Sequence, residues 1–282
     1  MKPTSMASPP VLLAAYAGAV FLASVAGGRL SEYGAMTHRR AQIVMSFVAG
    51  FILGIAVFHL LPHGLERIPG PNDFETAALW IMFGMVVMIV LLRVFDFHQH
   101  DFSAEAEAVH GHERVRKGGL FGVALGLGLH TVTEGAALGA SVRVGFVEEG
   151  VLPGLGVCLA ILLHKPLDAY SITGMMKHAG HTPRARLAAN LAYALICPVV
   201  AVGSYLGAGM LGPIAEGPTI GRALAFAVGA FVCISLSDLL PEIHFHRHDR
   251  GKLLVALSVG ISLAYALYLV EAMAMHDGHG DH

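Results

Sequence analysis

Long apolar stretches separated by short polar segments dominate the pattern along this chain. Each stretch has about the 20 mostly apolar residues that a helix needs to cross the hydrocarbon core of a membrane. Gly and Pro are frequent inside them, which suits transmembrane helices that pack closely. The eight predicted spans are 10–28, 41–61, 76–92, 118–142, 151–176, 185–210, 219–240 and 252–275. The pattern therefore predicts an all-α polytopic membrane protein, with the lipid bilayer as its surroundings.

The composition agrees with this class. Of the 282 residues, 55% are hydrophobic and only 13% are charged, which is about half the charged fraction of a soluble domain. The formal net charge of -2 does not favour a nucleic-acid partner. The three cysteines lie in apolar stretches without a C-x-x-C pattern, so neither a disulfide framework nor a zinc ribbon is predicted. We interpret 1–282 as one transmembrane domain.

The distribution of Lys and Arg predicts the orientation of the spans. Thirteen of the 18 basic residues lie in the first, third, fifth and seventh connections. Cytoplasmic connections of membrane proteins carry such an excess. Because the number of spans is even, both termini are predicted to lie outside the cytoplasm.

Two pairs of ionisable residues interrupt the apolar pattern in the fourth and fifth spans. His130 and Glu134 are four residues apart, as are His164 and Asp168, so each pair shares one helical face. A charged group in hydrocarbon costs on the order of a few kcal/mol, which makes such pairs candidates for function. A lone buried His is more often a hydrogen-bonded core residue, but two matching pairs favour a site. Two imidazoles and two carboxylates suit a divalent transition metal.

Further His and acidic residues lie nearer the ends of the spans. The connection 95–117 and the tail 276–282 are rich in His, and each is either a weak metal-binding segment or a solvated one. His59 near the end of the second span, and Asp238 and Glu242 near the end of the seventh, are candidate residues of an ion pathway. The alternative is that they are ordinary helix ends that meet water.

These features together resemble the ZIP family of metal-ion transporters. The resemblance rests on eight spans, external termini, a His-rich connection after the third span and the His130-x-x-x-Glu134-Gly135 motif, and it covers nearly the whole chain. It implies a helical bundle in which spans 1–3 and 6–8 form an inverted repeat around spans 4 and 5. It also implies a prokaryotic member in the plasma membrane, the bacterial inner membrane, that carries divalent ions into the cytoplasm and tends to form homodimers.

The resemblance implies a metal site at His130, Glu134, His164 and Asp168. Members of the family often hold a second metal beside the first, but here Thr131 and Lys165 occupy two of its positions. A charged Lys cannot be a ligand, so we predict one ion, with the Lys165 ammonium in place of the second. Lys165 is expected to reach Glu134 or Asp168 on its flexible side chain.

Zinc is the ion that imidazole and carboxylate ligands favour, and Fe²⁺, Mn²⁺ and Cd²⁺ could use the same ligands. In this interpretation the metal is the transported substrate and the protein is no enzyme. The alternatives are an intramembrane zinc-dependent hydrolase and a metal sensor that does not transport. A hydrolase would need a general base in addition to its ligands, and the sequence offers no separate candidate.

Overall fold

The computed structural model describes residues 8–33, 38–68, 70, 73–94, 117–147, 153–210, 213–245 and 250–277. All regular structure within these ranges is helical, which confirms the predicted all-α class. The helices are α1 (Pro9–Tyr33), α2 (His38–Ile55), α3 (Leu61–Glu66), α4 (Asp73–Val94), α5 (Lys117–Val147), α6 (Leu155–His178), α7 (Pro183–Met210), α8 (Pro213–Phe245) and α9 (Arg250–Asp277). The His-rich connection 95–117 and the tail 276–282 lie outside the described residues, except for the helix ends at Lys117 and 276–277.

Each predicted span coincides with one long helical segment, and the second span combines α2 and α3. Among the described residues, seven helical stretches are long and apolar enough to cross a membrane. The remaining long helix, α5, carries the polar pair His130 and Glu134. The largest cluster of buried apolar side chains draws on all eight long segments, so they form one bundle.

Most helices extend a few residues beyond the predicted spans, and two of the other differences at span ends have a backbone cause. The second span was predicted to end at Pro62, but a π-helical segment, Ala56–Leu60, joins α2 to α3. There the Leu61 amide donates to the carbonyl of Ala56, five residues back, and the wider turn lets the chain continue through Pro62. The helix of the fifth span begins only at Leu155. The residue before it, Gly154, has a φ of 75°, and this left-handed conformation interrupts the helix there.

The helices pack in two groups. In one group α1 packs along α6, α5 packs along α7, and α1 contacts α7. In the other, α2 packs along α9, α4 packs along α8, and α2 contacts α8. Exchanging α1 with α7, α2 with α8, α4 with α9 and α5 with α6 reproduces the same set of contacts. Since each exchanged pair runs in opposite directions through the bundle, this is the packing of an inverted repeat.

Glycines bring α2 and α9 into backbone contact. A methyl group added to Gly50 would overlap the carbonyl oxygen of Leu257 on α9. One added to Gly260 would overlap the carbonyl oxygen of Phe47 on α2. Each glycine therefore lies over the carbonyl group of the residue that comes three positions before the other glycine. A side chain at either position would push the two helices apart.

The contact between α4 and α8 has the same reciprocal form. A methyl group on Gly84 would overlap the carbonyl oxygen of Phe226, and one on Gly229 would overlap that of Ile81. The spacing of three residues is again the same on both helices. The exchange of helices described above replaces α2 by α8 and α9 by α4. The glycine motif that the two helix pairs share is therefore a second sign of the inverted repeat.

An ion pair joins the first group at one end. Arg186 in the first turn of α7 donates from Nε and Nη2 to the two carboxylate oxygens of Glu32 on α1, at 2.7 Å each. Its Nη1 donates to the carbonyl of His181 at 2.8 Å. A bidentate ion pair of this kind fixes the relative orientation of its two side chains better than a single hydrogen bond does. It holds the end of α1 against α7.

Candidate metal centre

The polar pairs of α5 and α6 meet in the interior of the first helix group. His130, Glu134, His164 and Asp168 are all buried, and Glu134 is fully inaccessible. One ligand atom from each of the four lies within 4.8 Å of the others. The i, i+4 spacing places each pair on one face, and the packing of α5 against α6 brings the two faces together.

Glu134 is at the centre of this cluster. Its Oε1 atom lies 2.7 Å from Nε2 of His130 and is also hydrogen-bonded to Nε2 of His164. Its Oε2 atom lies 2.5 Å from Nζ of Lys165. One buried carboxylate is therefore surrounded by two imidazoles and an ammonium, which supply the partners that a buried charge requires.

The two imidazoles are held differently. Nδ1 of His164 lies 2.7 Å from the carbonyl oxygen of Ala160, so it donates to that oxygen and Nε2 faces the cluster. Such a bond on the far nitrogen is the usual support of a metal-binding His. Nδ1 of His130 is buried without a hydrogen-bond partner among the described residues. The structure thus orients the ring of His164 more firmly than that of His130.

The Lys165 ammonium is inside the network. It donates to Thr131 Oγ1 at 2.6 Å and to Glu134 Oε2 at 2.5 Å, and it lies 3.8 Å from Asp168 Oδ2. Thr131 in turn donates within α5 to the carbonyl of Leu127 at 2.7 Å. The two residues at the family's second metal positions are therefore bonded to each other, and the ammonium fills the space between the carboxylates.

Tyr193 on α7 is a part of this network that the sequence analysis did not identify. Its hydroxyl donates to Asp168 Oδ2 at 3.2 Å and lies 3.0 Å from Thr131 Oγ1. The Lys165 nitrogen lies 4.8 Å from the centre of its ring. A tyrosine in an apolar stretch is typical of a core residue. The one sequence feature that sets it apart is its helical spacing from Arg186 and Asn190, with which it is buried on the same helix.

Of the candidate pathway residues, His59 does not belong to the cluster of four ligand residues. His59 is buried in the π-helical segment, where its Nε2 lies 3.2 Å from the carbonyl oxygen of Ala264 on α9. Its ring packs edge-on against Tyr268. Asp238 and Glu242 belong to α8, and their side chains lie outside the described part of the chain. Their part in an ion pathway stays a prediction.

A bundle of membrane-spanning helices with buried imidazoles and carboxylates facing one another defines the class of membrane proteins that handle divalent metal ions. The family model described as "ZIP Zinc transporter" matches residues 97–268, which is more than half of the chain. The protein therefore belongs to the ZIP zinc transporter family, and the resemblance noted from the sequence is confirmed.

Over the aligned residues, individual relatives are about a quarter to a third identical to this chain. It is 26% identical over 255 residues to "Zinc transporter ZIP9-B" of Xenopus laevis, which covers 76% of this chain and 80% of the relative. It is 32% identical over 148 residues to "Zinc transporter ZIP1" of Takifugu rubripes, a match that covers 51% of this chain and 45% of the relative. It is 28% identical over 193 residues to "Zinc transporter foi" of Drosophila melanogaster, a match that covers 66% of this chain and 25% of the relative.

Proposed function

We propose that this protein carries divalent metal ions, zinc by preference, across a membrane by way of His130, Glu134, His164 and Asp168. The observation that supports this most directly is the approach of their four ligand atoms to within 4.8 Å of one another in the interior of the bundle. Membership of a family described as zinc transporters agrees with it. The metal is the substrate of the protein and not a resident cofactor.

The choice of zinc follows from the donor atoms. Two imidazoles and two carboxylates match the nitrogen and oxygen ligands of zinc, and no thiolate is present among them to demand a softer metal. Fe²⁺, Mn²⁺ and Cd²⁺ are candidate substrates of the same site. An arriving ion must replace the hydrogen bonds that Glu134 makes to His130 and His164. This competition keeps the affinity moderate, which a transporter needs in order to release its ion.

We propose that the site takes one ion at a time. A second divalent ion would have to approach the carboxylates from the side where the Lys165 ammonium already lies between Glu134 and Asp168. The ammonium neutralises part of the carboxylate charge and repels a neighbouring cation. Lys165→Asp removes that obstacle, and a variant of this kind is expected to bind two ions where the wild type binds one.

The packing of the helices in two groups suggests how the ion would move through the protein. All four proposed ligands belong to the group that contains α1, α5, α6 and α7. We propose that the ion binds from the outer side and leaves inward when the two groups rearrange, and that both termini lie outside the cytoplasm. A bacterial inner membrane, a homodimer and the absence of enzymatic activity belong to the same proposal, which the transporter names of the relatives support only in its general outline.

Zinc uptake into sealed vesicles that contain only the purified protein tests the proposal. His130→Ala and Glu134→Ala are expected to lower the uptake rate more than about 100-fold, because each removes an ion ligand, and His164→Ala and Asp168→Ala are expected to do likewise. His178→Ala is the matched control, since His178 is an exposed imidazole near the end of α6. Wild-type uptake by His130→Ala, in correctly inserted protein, would refute the proposed site. Vesicles that bind zinc outside but accumulate none would indicate a sensor.

A further inference from the structure

Tyr193 contacts Lys165 and Asp168, two ionisable residues of α6 that form an ion pair without a direct hydrogen bond. Its hydroxyl donates to Asp168 Oδ2 at 3.2 Å, and its ring lies under the Lys165 nitrogen at 4.8 Å. Lys165 and Asp168 are three residues apart on that helix, and their charged atoms are 3.8 Å apart. This separation is longer than a hydrogen bond between an ammonium and a carboxylate, which is about 2.8 Å.

Two opposite charges in a buried site attract strongly, so something must keep them apart. The ammonium has its own partners in Thr131 and Glu134, and the face of an aromatic ring adds a further attraction for a cation. The phenolic hydroxyl, meanwhile, occupies the Asp168 oxygen that is nearest to the ammonium. Tyr193 thus satisfies each charge on its own side.

We infer that Tyr193 is a positioning residue that keeps Asp168 from closing into a direct hydrogen bond with Lys165 and so keeps Asp168 available to the metal ion. This inference rests on the proposed function, because it assigns Tyr193 a role in the ion site. Without the phenolic hydroxyl, Asp168 turns toward the ammonium and closes the gap to a direct hydrogen bond. The ion then loses one of its four ligands, and its affinity falls.

The two parts of the side chain can be removed separately. Tyr193→Phe removes the hydroxyl and keeps the ring over which the ammonium lies. Tyr193→Leu removes the ring as well and leaves Lys165 free to compete for both carboxylates. Tyr205→Phe is the matched control, because Tyr205 is also a buried tyrosine of α7 but packs against Arg143, away from the ion site.

Equilibrium binding of zinc to the purified full-length chain is the measurement. Tyr193→Phe is expected to raise the zinc Kd about tenfold, the effect of losing one charge-assisted contact. Tyr193→Leu is expected to raise it further, and Tyr205→Phe is expected to leave it within about twofold of wild type. The helical circular dichroism and the elution volume of each variant show whether it is folded.

The decisive variant removes the competing charge. In a Lys165→Met background there is no ammonium for Asp168 to pair with, so Tyr193→Phe should change the zinc Kd by less than about threefold. A tyrosine that acts only through packing would weaken binding equally in both backgrounds. An equal loss in the two backgrounds, or a wild-type Kd in Tyr193→Phe itself, would overturn the inference.

His130→Ala in the same binding assay separates this inference from the proposed function. If the wild-type protein binds no zinc, or if His130→Ala binds it as well as wild type does, the proposed site is wrong. A different result would concern Tyr193 alone. If His130→Ala abolishes zinc binding, and Tyr193→Phe weakens it equally in the wild-type and Lys165→Met backgrounds, the proposed metal site is correct and only the role inferred for Tyr193 is wrong.

Discussion

At the scale of single residues, the charge of Glu134 determines what the cluster can do. Its carboxylate is fully buried, and the equally buried ammonium of Lys165 lies 2.5 Å from it. Removing one member of such a pair leaves the other charge unpaired, whereas removing both leaves none. The pair is thus a structural requirement of the bundle as well as a part of the proposed ion site.

Glu134→Gln separates these two contributions. It keeps the shape of the side chain but leaves the Lys165 ammonium without its closest negative partner, which is expected to cost about 3 kcal/mol of stability. It should also abolish zinc uptake, because a neutral amide is a poor ligand for the ion. Thermal unfolding of the purified protein and zinc uptake by vesicles measure the two effects.

The double variant Glu134→Gln with Lys165→Met provides the control. It should recover most of the lost stability, since no Lys165 ammonium is left without the Glu134 carboxylate, yet it should still not transport. Recovery of transport in the double variant would show that the Glu134 carboxylate is no ligand of the ion.

The sequence predicts the residues of this cluster to different degrees. The pairs His130/Glu134 and His164/Asp168 are visible because helical spacing puts each pair on one face of its own helix. The reach of Lys165 to Glu134 was expected from the length of its side chain. Tyr193 could not be identified in this way, because its contacts to Thr131 and Asp168 span 62 and 25 residues of chain. Such contacts depend on how α7 packs against α5 and α6.

At the scale of helices, α1 supports the part of α6 that carries the cluster. Gly27 lies against the backbone of Pro166, where even a methyl group would overlap the carbonyl oxygen. Pro166 follows Lys165 directly, and it has no amide hydrogen to donate to the carbonyl of Leu162. The helix therefore lacks one of its own hydrogen bonds beside the site, and the close approach of α1 holds it in place.

Gly27→Ala is expected to displace α6 and to raise the zinc Kd about tenfold, because a shift of its ligands weakens an ion site even when every ligand is present. Gly18→Ala is the matched control on the same helix, since Gly18 has open space around its α-carbon. Zinc binding to both purified variants provides the test. A Kd for Gly27→Ala that equals that of Gly18→Ala would show that α6 does not depend on this contact.

The existence of the helices could be predicted more completely than their details. Apolar length predicts where a chain crosses a membrane, and all eight segments were found in this way. The π-helical segment Ala56–Leu60 cannot be recognised in the hydrophobic pattern, because it lies within a continuous apolar stretch in which His59 is its only polar residue. The late start of α6 depends on the backbone conformation of Gly154, which hydrophobic periodicity does not determine.

At the scale of the whole molecule, the ion site and the reciprocal glycine contacts belong to different helix groups. The proposed ligands, Lys165 and Tyr193 all lie on α5, α6 and α7. The reciprocal glycine pairs join α2 to α9 and α4 to α8 in the other group. The sequence suggested the inverted repeat only through a family resemblance. The glycines that carry it in the structure, such as Gly50 and Gly229, looked like any other small residues of a transmembrane helix.

This division predicts that a disturbance in the second group lowers stability without changing the ion site. Gly229→Ala would force a methyl group against the carbonyl oxygen of Ile81 and separate α8 from α4. Overpacking of this kind costs about 2 kcal/mol, which corresponds to a fall in Tm of about 5 °C in a protein of this size. The zinc Kd should stay within about twofold of wild type, because none of the proposed ligands is carried by α4 or α8.

Gly217→Ala is the control for this prediction, since Gly217 lies on α8 with open space around its α-carbon and should leave both quantities unchanged. Thermal unfolding and equilibrium zinc binding, measured on the same purified samples, give the two readouts. A tenfold rise of the zinc Kd in Gly229→Ala would mean that the geometry of the site depends on both groups. The ligands could then not keep their arrangement while one group moves against the other, and the rearrangement proposed for ion release would have to distort the site itself.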